Sequence, residues 1–124
     1  VKGVHLSKKK FKVINELLDL KSKELDLIEK CNDEISLVCE ELKQSALTIK
    51  LITHLSVCLN DDLSKDEKLG YLNYVLDEKD ELIDKQKELW LKRNKSGGLN
   101  RSIKHLTDFF KLVEETKLFI QNYF

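Results

Sequence analysis

Apolar residues recur at helical spacing through most of this chain. In the first stretch Phe11, Ile14, Leu18, Leu25 and Ile28 fall three, four or seven positions apart, which places them on one face of an α-helix. Ser7 stands ahead of them as an N-cap whose hydroxyl can accept an exposed amide, so a helix is expected over about 8–30. The second stretch carries Ile35, Val38, Leu42, Ala46, Ile49, Ile52 and Val57, with Leu51 and Leu55 widening the stripe in its last turns. Asn32 or Asp33 can cap this helix, expected over 33–59, and the polar turn Asn60-Asp61-Asp62 closes it.

The third start has the most explicit signal. Ser64-Lys65-Asp66-Glu67 matches the capping box, in which the Ser and Glu side chains each satisfy a backbone amide at the helix start. Leu69, Leu72, Val75, Leu76, Leu82, Ile83, Leu89 and Trp90 continue the period, predicting a helix over 65–95. Gly97-Gly98 ends it, since glycine accepts the left-handed backbone of a C-terminal cap. Ile103, Leu106, Phe110, Val113, Ile120 and Phe124 then predict a fourth helix over 100–124. Short connections favour antiparallel neighbours. The fold expected is a single all-α domain, an up-down-up-down bundle of four helices.

Composition agrees and narrows the range of functions. There are 124 residues, with no Pro, no Met, 4 Gly and 41% hydrophobic side chains. That suits long helices and a packed core, and it leaves no room for a catalytic barrel of ~250 residues. The opening Val1-Lys2-Gly3 has no initiator Met, so the chain is expected to be processed or to be a piece of a longer one. No secretory signal pattern and no membrane-spanning apolar run is present. Three Cys without CxxC spacing argue for free thiols in a reducing compartment, so a cytoplasmic location is expected.

Lys+Arg and Asp+Glu both number 22, but the balance is uneven along the chain. Residues 1–30 hold 8 basic and 5 acidic side chains, and residues 31–62 hold 2 and 6. A positive first helix is therefore expected beside a negative second one. The basic clusters Lys8-Lys9-Lys10 with Lys12, and Lys92-Arg93 with Lys95, are short and are balanced by acids. No aromatic residue alternates with them, so nucleic acid is not expected as a partner.

Little catalytic chemistry is legible. No Glu has a His three residues later, which excludes the di-iron pattern of helical bundles. His54 and Cys58 lie four apart and share one helix face, but two ligands do not make a metal site. Glycine-rich phosphate loops and nucleophile elbows are absent. Adjacent acids such as Glu40-Glu41 and Asp80-Glu81 point about 100° apart on a helix, unlike an opposed carboxyl pair. No cofactor or metal is expected.

The most distinctive stretch runs from Glu88 to Ser102. Trp90 precedes Arg93-Asn94 by one helical turn, and Gly97, Gly98 and Leu99 follow. Arg93 and Asn94 could hold the last carbonyls of the third helix, with Leu99 reaching back onto Trp90. The same corner could bind, because Trp offers a stacking face and Arg and Asn offer donors beside it. Trp90, Leu91, Arg93, Asn94, Lys95, Gly97, Gly98, Leu99 and Ser102 together resemble the C-terminal helical domain of bacterial family 20 glycoside hydrolases, the β-N-acetylhexosaminidases. The likeness extends loosely over most of the chain, including Glu41-Leu42, and departs at Ser96, where many relatives have Pro.

The resemblance implies a non-catalytic domain that braces a catalytic barrel elsewhere in the same parent chain, or a homodimer interface. The family's acid/base pair lies in that barrel, so no catalytic residue carries over. The corner of Trp90, Arg93, Asn94, Gly97, Gly98 and Leu99 would be its interdomain contact. A reading of another class is a stand-alone helical interaction or oligomerisation module. The seven-residue spacing of Ile28, Ile35, Leu42 and Ile49 favours it, while Asn32, Thr53 and Ser56 interrupt the related positions.

Overall fold

The computed structural model describes residues 6–30, 33–60, 62–93 and 97–123. Its elements are α1 (Lys8–Ile28), α2 (Asp33–Val57), α3 (Lys65–Asp77), α4 (Lys79–Lys92) and α5 (Leu99–Tyr123), and the described residues contain no strand. The four expected helical segments are all present, the third divided at Glu78. The expected cap Asn32, and also Asp61 and Phe124, lie outside the described residues.

Local chemistry explains the boundaries. Ser7 Oγ accepts the Lys10 amide at 3.2 Å and starts α1. Ser64 Oγ accepts the Glu67 amide at 3.1 Å, and Glu67 Oε1 accepts the Ser64 amide at 3.4 Å, so the capping box forms as expected. Asn60 Oδ1 accepts the Asp62 amide at 2.9 Å and turns the chain between α2 and α3. At Glu78 the amide bonds back three residues to the Val75 carbonyl at 3.2 Å. This tightened turn falls within Asp77-Glu78-Lys79-Asp80-Glu81, a run without an apolar side chain to hold the helix straight.

Cross-helix pairs fix the topology. Along α1 and α2, Asn15 meets Thr53, Asp19 meets Lys50 and Asp26 meets Lys43. Between α2 and the next two helices, Cys58 bonds Lys68, Gln44 bonds Leu82 and Lys92 reaches Glu40. Gln86 bonds Ser102 and Lys65 reaches Gln121, which sets α5 against α4 and α3. In each series one number rises as the other falls, so the neighbours run antiparallel, up-down-up-down as expected.

The bundle is open along one side. α1 packs chiefly on α2, and its first turn also reaches α3 through Lys8–Glu67 and Phe11–Tyr71. The fully buried apolar cluster is built from Leu51, Cys58, Leu72, Val75, Leu82, Phe110, Val113 and Ile120, with nothing from α1.

Two apolar stripes depart from expectation. On α1, Phe11, Ile14, Leu18 and Leu25 are half-buried, Ile28 is exposed, and the one fully buried residue is Asn15. A helix with one main neighbour cannot enclose a broad stripe. Leu51 of α2 and Cys58 just after its end form the core side, flanked by Leu47 and Leu55. Ile35, Val38, Leu42, Ile49 and Ile52 of the expected stripe lie on the outside.

Candidate functional site

The Trp90 corner forms a tight junction between α4 and α5. Gly98 has φ +86°, the left-handed region that glycine enters without steric cost. A Cβ there would stand 3.3 Å from Trp90 Cζ2, so the indole lies against the glycine backbone. Gly97 has open space around it, and Leu99 begins α5 half-buried. The indole is thus in contact with Gly98. Asn94 lies outside the described residues.

Arg93 takes a different role from the one expected. Its guanidinium turns to α2, where Nε donates to Glu41 Oε2 at 3.0 Å and Nη2 pairs with Glu41 Oε1. The α4 carbonyls are instead met by the Arg93 backbone amide, which bonds Trp90 O at 3.2 Å and Leu89 O at 3.3 Å. Glu41 raises the Arg93 pKa by this hydrogen bond, so the corner is clamped to α2 by a two-pronged pair.

Beside the corner an open groove of about 580 Å³ runs between α2 and α5, lined by Ile49, Trp90, Leu106, Arg101 and His105 among others. A relay of amides ties its three helices together. Gln44 Nε2 donates to Leu82 O at 2.7 Å and to Gln86 Oε1 at 3.3 Å, and Gln86 Nε2 donates to Ser102 Oγ at 2.9 Å. Among the described residues no carboxylate or thiol lines the groove, and Trp90 Nε1 is buried without a hydrogen-bond partner. The surface is suited to apolar contact.

His54 and Cys58 do share a face, in the interior. The His54 ring stacks on Tyr74 at 4.5 Å and meets the edge of Phe11 at 4.8 Å, while Nδ1 bonds the Lys50 carbonyl at 2.7 Å. Burial lowers its pKa and favours the neutral ring. Cys58 Sγ donates to the carbonyls of His54 at 3.1 Å and Lys68 at 3.4 Å, and burial pushes its pKa up to about 12. Such a thiol is inert packing. Among the described residues no group of three or more His, Cys, Asp or Glu could hold a metal ion.

The outer face of α2 is the feature that sequence reasoning placed on the wrong side. Val38, Leu42, Ile49 and Ile52 are 44–49% exposed. Four of the helix's charges are paired to either side of it. Lys43 pairs with Asp26 and Glu29, Lys50 with Asp19, Glu40 with Lys85 and Lys92, and Glu41 with Arg93. With these four charges drawn to α1 and α4, the third face is mainly apolar, interrupted by Ser45 and, at its N-terminal end, by the exposed Glu34. Its clue was the heptad spacing of Ile35, Leu42 and Ile49 with Val38 and Ile52. On α1, Val13, Leu17, Leu20 and Leu27 are exposed as well.

No family model, curated protein or solved structure matches the chain. Among the described residues no helix is long and apolar enough to cross a membrane.

Proposed function

We propose that this chain is a non-catalytic helical interaction module that docks through the outer face of its α1–α2 hairpin. The supporting observation is the stripe of Val38, Leu42, Ile49 and Ile52, half-exposed on a helix whose Lys50, Glu40 and Glu41 pair sideways with α1 and α4. Contiguous apolar surface of this kind, rimmed by polar residues, marks protein contacts. Ser45 and Ile49 also line the groove beside Trp90, so the stripe continues into a concave surface that can seat a protruding side chain.

Titration with bis-ANS below about 1 µM chain, where weak apolar contacts between copies dissociate, tests this reading. Dye binding mapped by amide shifts to α2, and lost in Ile49→Glu with helicity intact, is the expected result. A chain that binds no dye, or binds it only on α5, contradicts it.

The resemblance to the hexosaminidase helical domain supplies a second reading, in which the face is covered by a catalytic barrel of the same parent chain. What favours it is the corner itself, with Trp90 seated on Gly98 and Arg93 clamped to Glu41. A reading frame that continues into a barrel-coding region upstream supports it. Hydrolysis of an aryl N-acetylglucosaminide by the pure 124-residue chain contradicts a non-catalytic role under either reading.

A further inference from the structure

The docking reading leaves open what occupies the face; building on it, we infer that the occupant is a second copy of this chain, with its α2 running antiparallel. The stripe has the two alternating positions of a coiled-coil seam, Ile35, Leu42 and Ile49 in one and Val38, Ser45 and Ile52 in the other. Antiparallel pairing sets one class against the other. In a single register, Ile35 meets Ile52 of the second copy, Val38 meets Ile49, and Leu42 meets Ser45. The one small polar residue falls opposite a long side chain, and every other pair joins two branched apolar residues. The stripe is therefore complementary to itself.

Charge favours the same arrangement. The six seam positions themselves carry no ionisable residue. Leu6 bonds Ser56 and Phe11 meets His54, which puts the start of α1 level with the end of α2. Antiparallel pairing then brings Lys9, Lys10 and Lys12 of one copy level with Asp33 and Glu34 of the other. Parallel pairing would set the two Asp33-Glu34 ends together and align the helix dipoles unfavourably. Each hairpin contributes two helices to the pair, joined through α2.

Sedimentation equilibrium tests the proposal directly. At about 100 µM, in the range where modest apolar interfaces hold, the chain should sediment with twice its 14.5 kDa mass. Ile49→Glu and Leu42→Glu, both at exposed positions, should each weaken association at least ~10-fold with unchanged helical circular dichroism. Leu118→Glu, exposed on α5, should leave it unchanged. Spin labels on Asp33→Cys in a Cys31→Ala background report direction. The register above places them about 30 Å apart, twenty-one residues at the helical rise, whereas a parallel pair would bring them within about 15 Å.

A chain that stays monomeric at every concentration overturns the second copy. If bis-ANS still maps to α2, the docking face survives that failure; if it does not, both readings fall. A dimer insensitive to both seam variants, or one with adjacent labels, overturns the antiparallel seam.

Discussion

Asn15 Nδ2 donates to Thr53 Oγ1 at 3.0 Å across the α1–α2 contact. The same amide reaches back to Phe11 O at 2.9 Å, and Thr53 passes its own hydrogen to Lys50 O at 2.6 Å. Two helices whose facing apolar residues are only half-buried are thus aligned by a buried polar contact. Asn15 Oδ1 has no partner among the described residues, so the contact specifies register more than it adds stability. Thr53→Val should cost roughly 1 kcal/mol by leaving the amide short of an acceptor, and adding Asn15→Leu should recover much of that loss. Urea unfolding of the two variants checks it, and equal stability of Thr53→Val and the parent chain would contradict it.

Gly98 is the position where substitution is most constrained. Alanine there must hold φ at +86° and press a methyl against Trp90, so Gly98→Ala should cost about 1–2 kcal/mol. Gly97→Ala, with open space around it, should cost less. Thermal unfolding of both variants, with Trp90 fluorescence as a local probe, separates them.

Lowering pH should destabilise the fold through His54 before the carboxylates titrate. Burial depresses its pKa in the folded state below the ordinary 6.5, so the unfolded chain binds the proton first. The stability held by the neutral ring is complete above pH 6.5 and is lost as pH falls toward the folded pKa. Urea unfolding at pH 7.5 and 5.5 should show lower stability at 5.5, and His54→Gln should reduce that difference. A difference unchanged in the variant would contradict it.

Cys58 should resist alkylation in the native chain. With its pKa near 12 and its sulfur enclosed by α2 and α3, almost no thiolate exists at pH 8. Peptide mass analysis after iodoacetamide treatment should find Cys58 unmodified until urea is added. Rapid native labelling at Cys58 would mean that the α2–α3 contact opens readily.

What could be read from the sequence follows from how local each signal is. Ser7, the Ser64–Glu67 box and Gly98 act on backbone groups within a few residues, and each appears where expected. α2 was harder because it is apolar on two sides. Leu47, Leu51, Leu55 and Cys58 repeat at helical spacing, and so do Ile35, Leu42, Ile49 and Ile52. Periodicity cannot decide which set meets α3, α4 and α5; that depends on where Lys43, Lys50, Glu40 and Glu41 find their partners. The Gln44–Gln86–Ser102 relay carries no local signature, since it arises only when three helices assemble. At the corner the glycine turn after Trp90 is legible from the sequence, whereas the contact of Gly98 with the indole and the Arg93–Glu41 clamp, which spans 52 positions, are not.

The claim at the centre is that the outer face of α2 is an interface, and methyl NMR with a soluble gadolinium chelate tests it most directly. In dilute solution the Leu42, Ile49 and Ile52 methyls should be broadened by the probe as strongly as those of Leu112 and Leu118 on α5. On raising the chain concentration, the three α2 residues should become protected while the two α5 residues stay broadened. Broadening of Leu42, Ile49 and Ile52 that remains the same at every concentration would contradict the account.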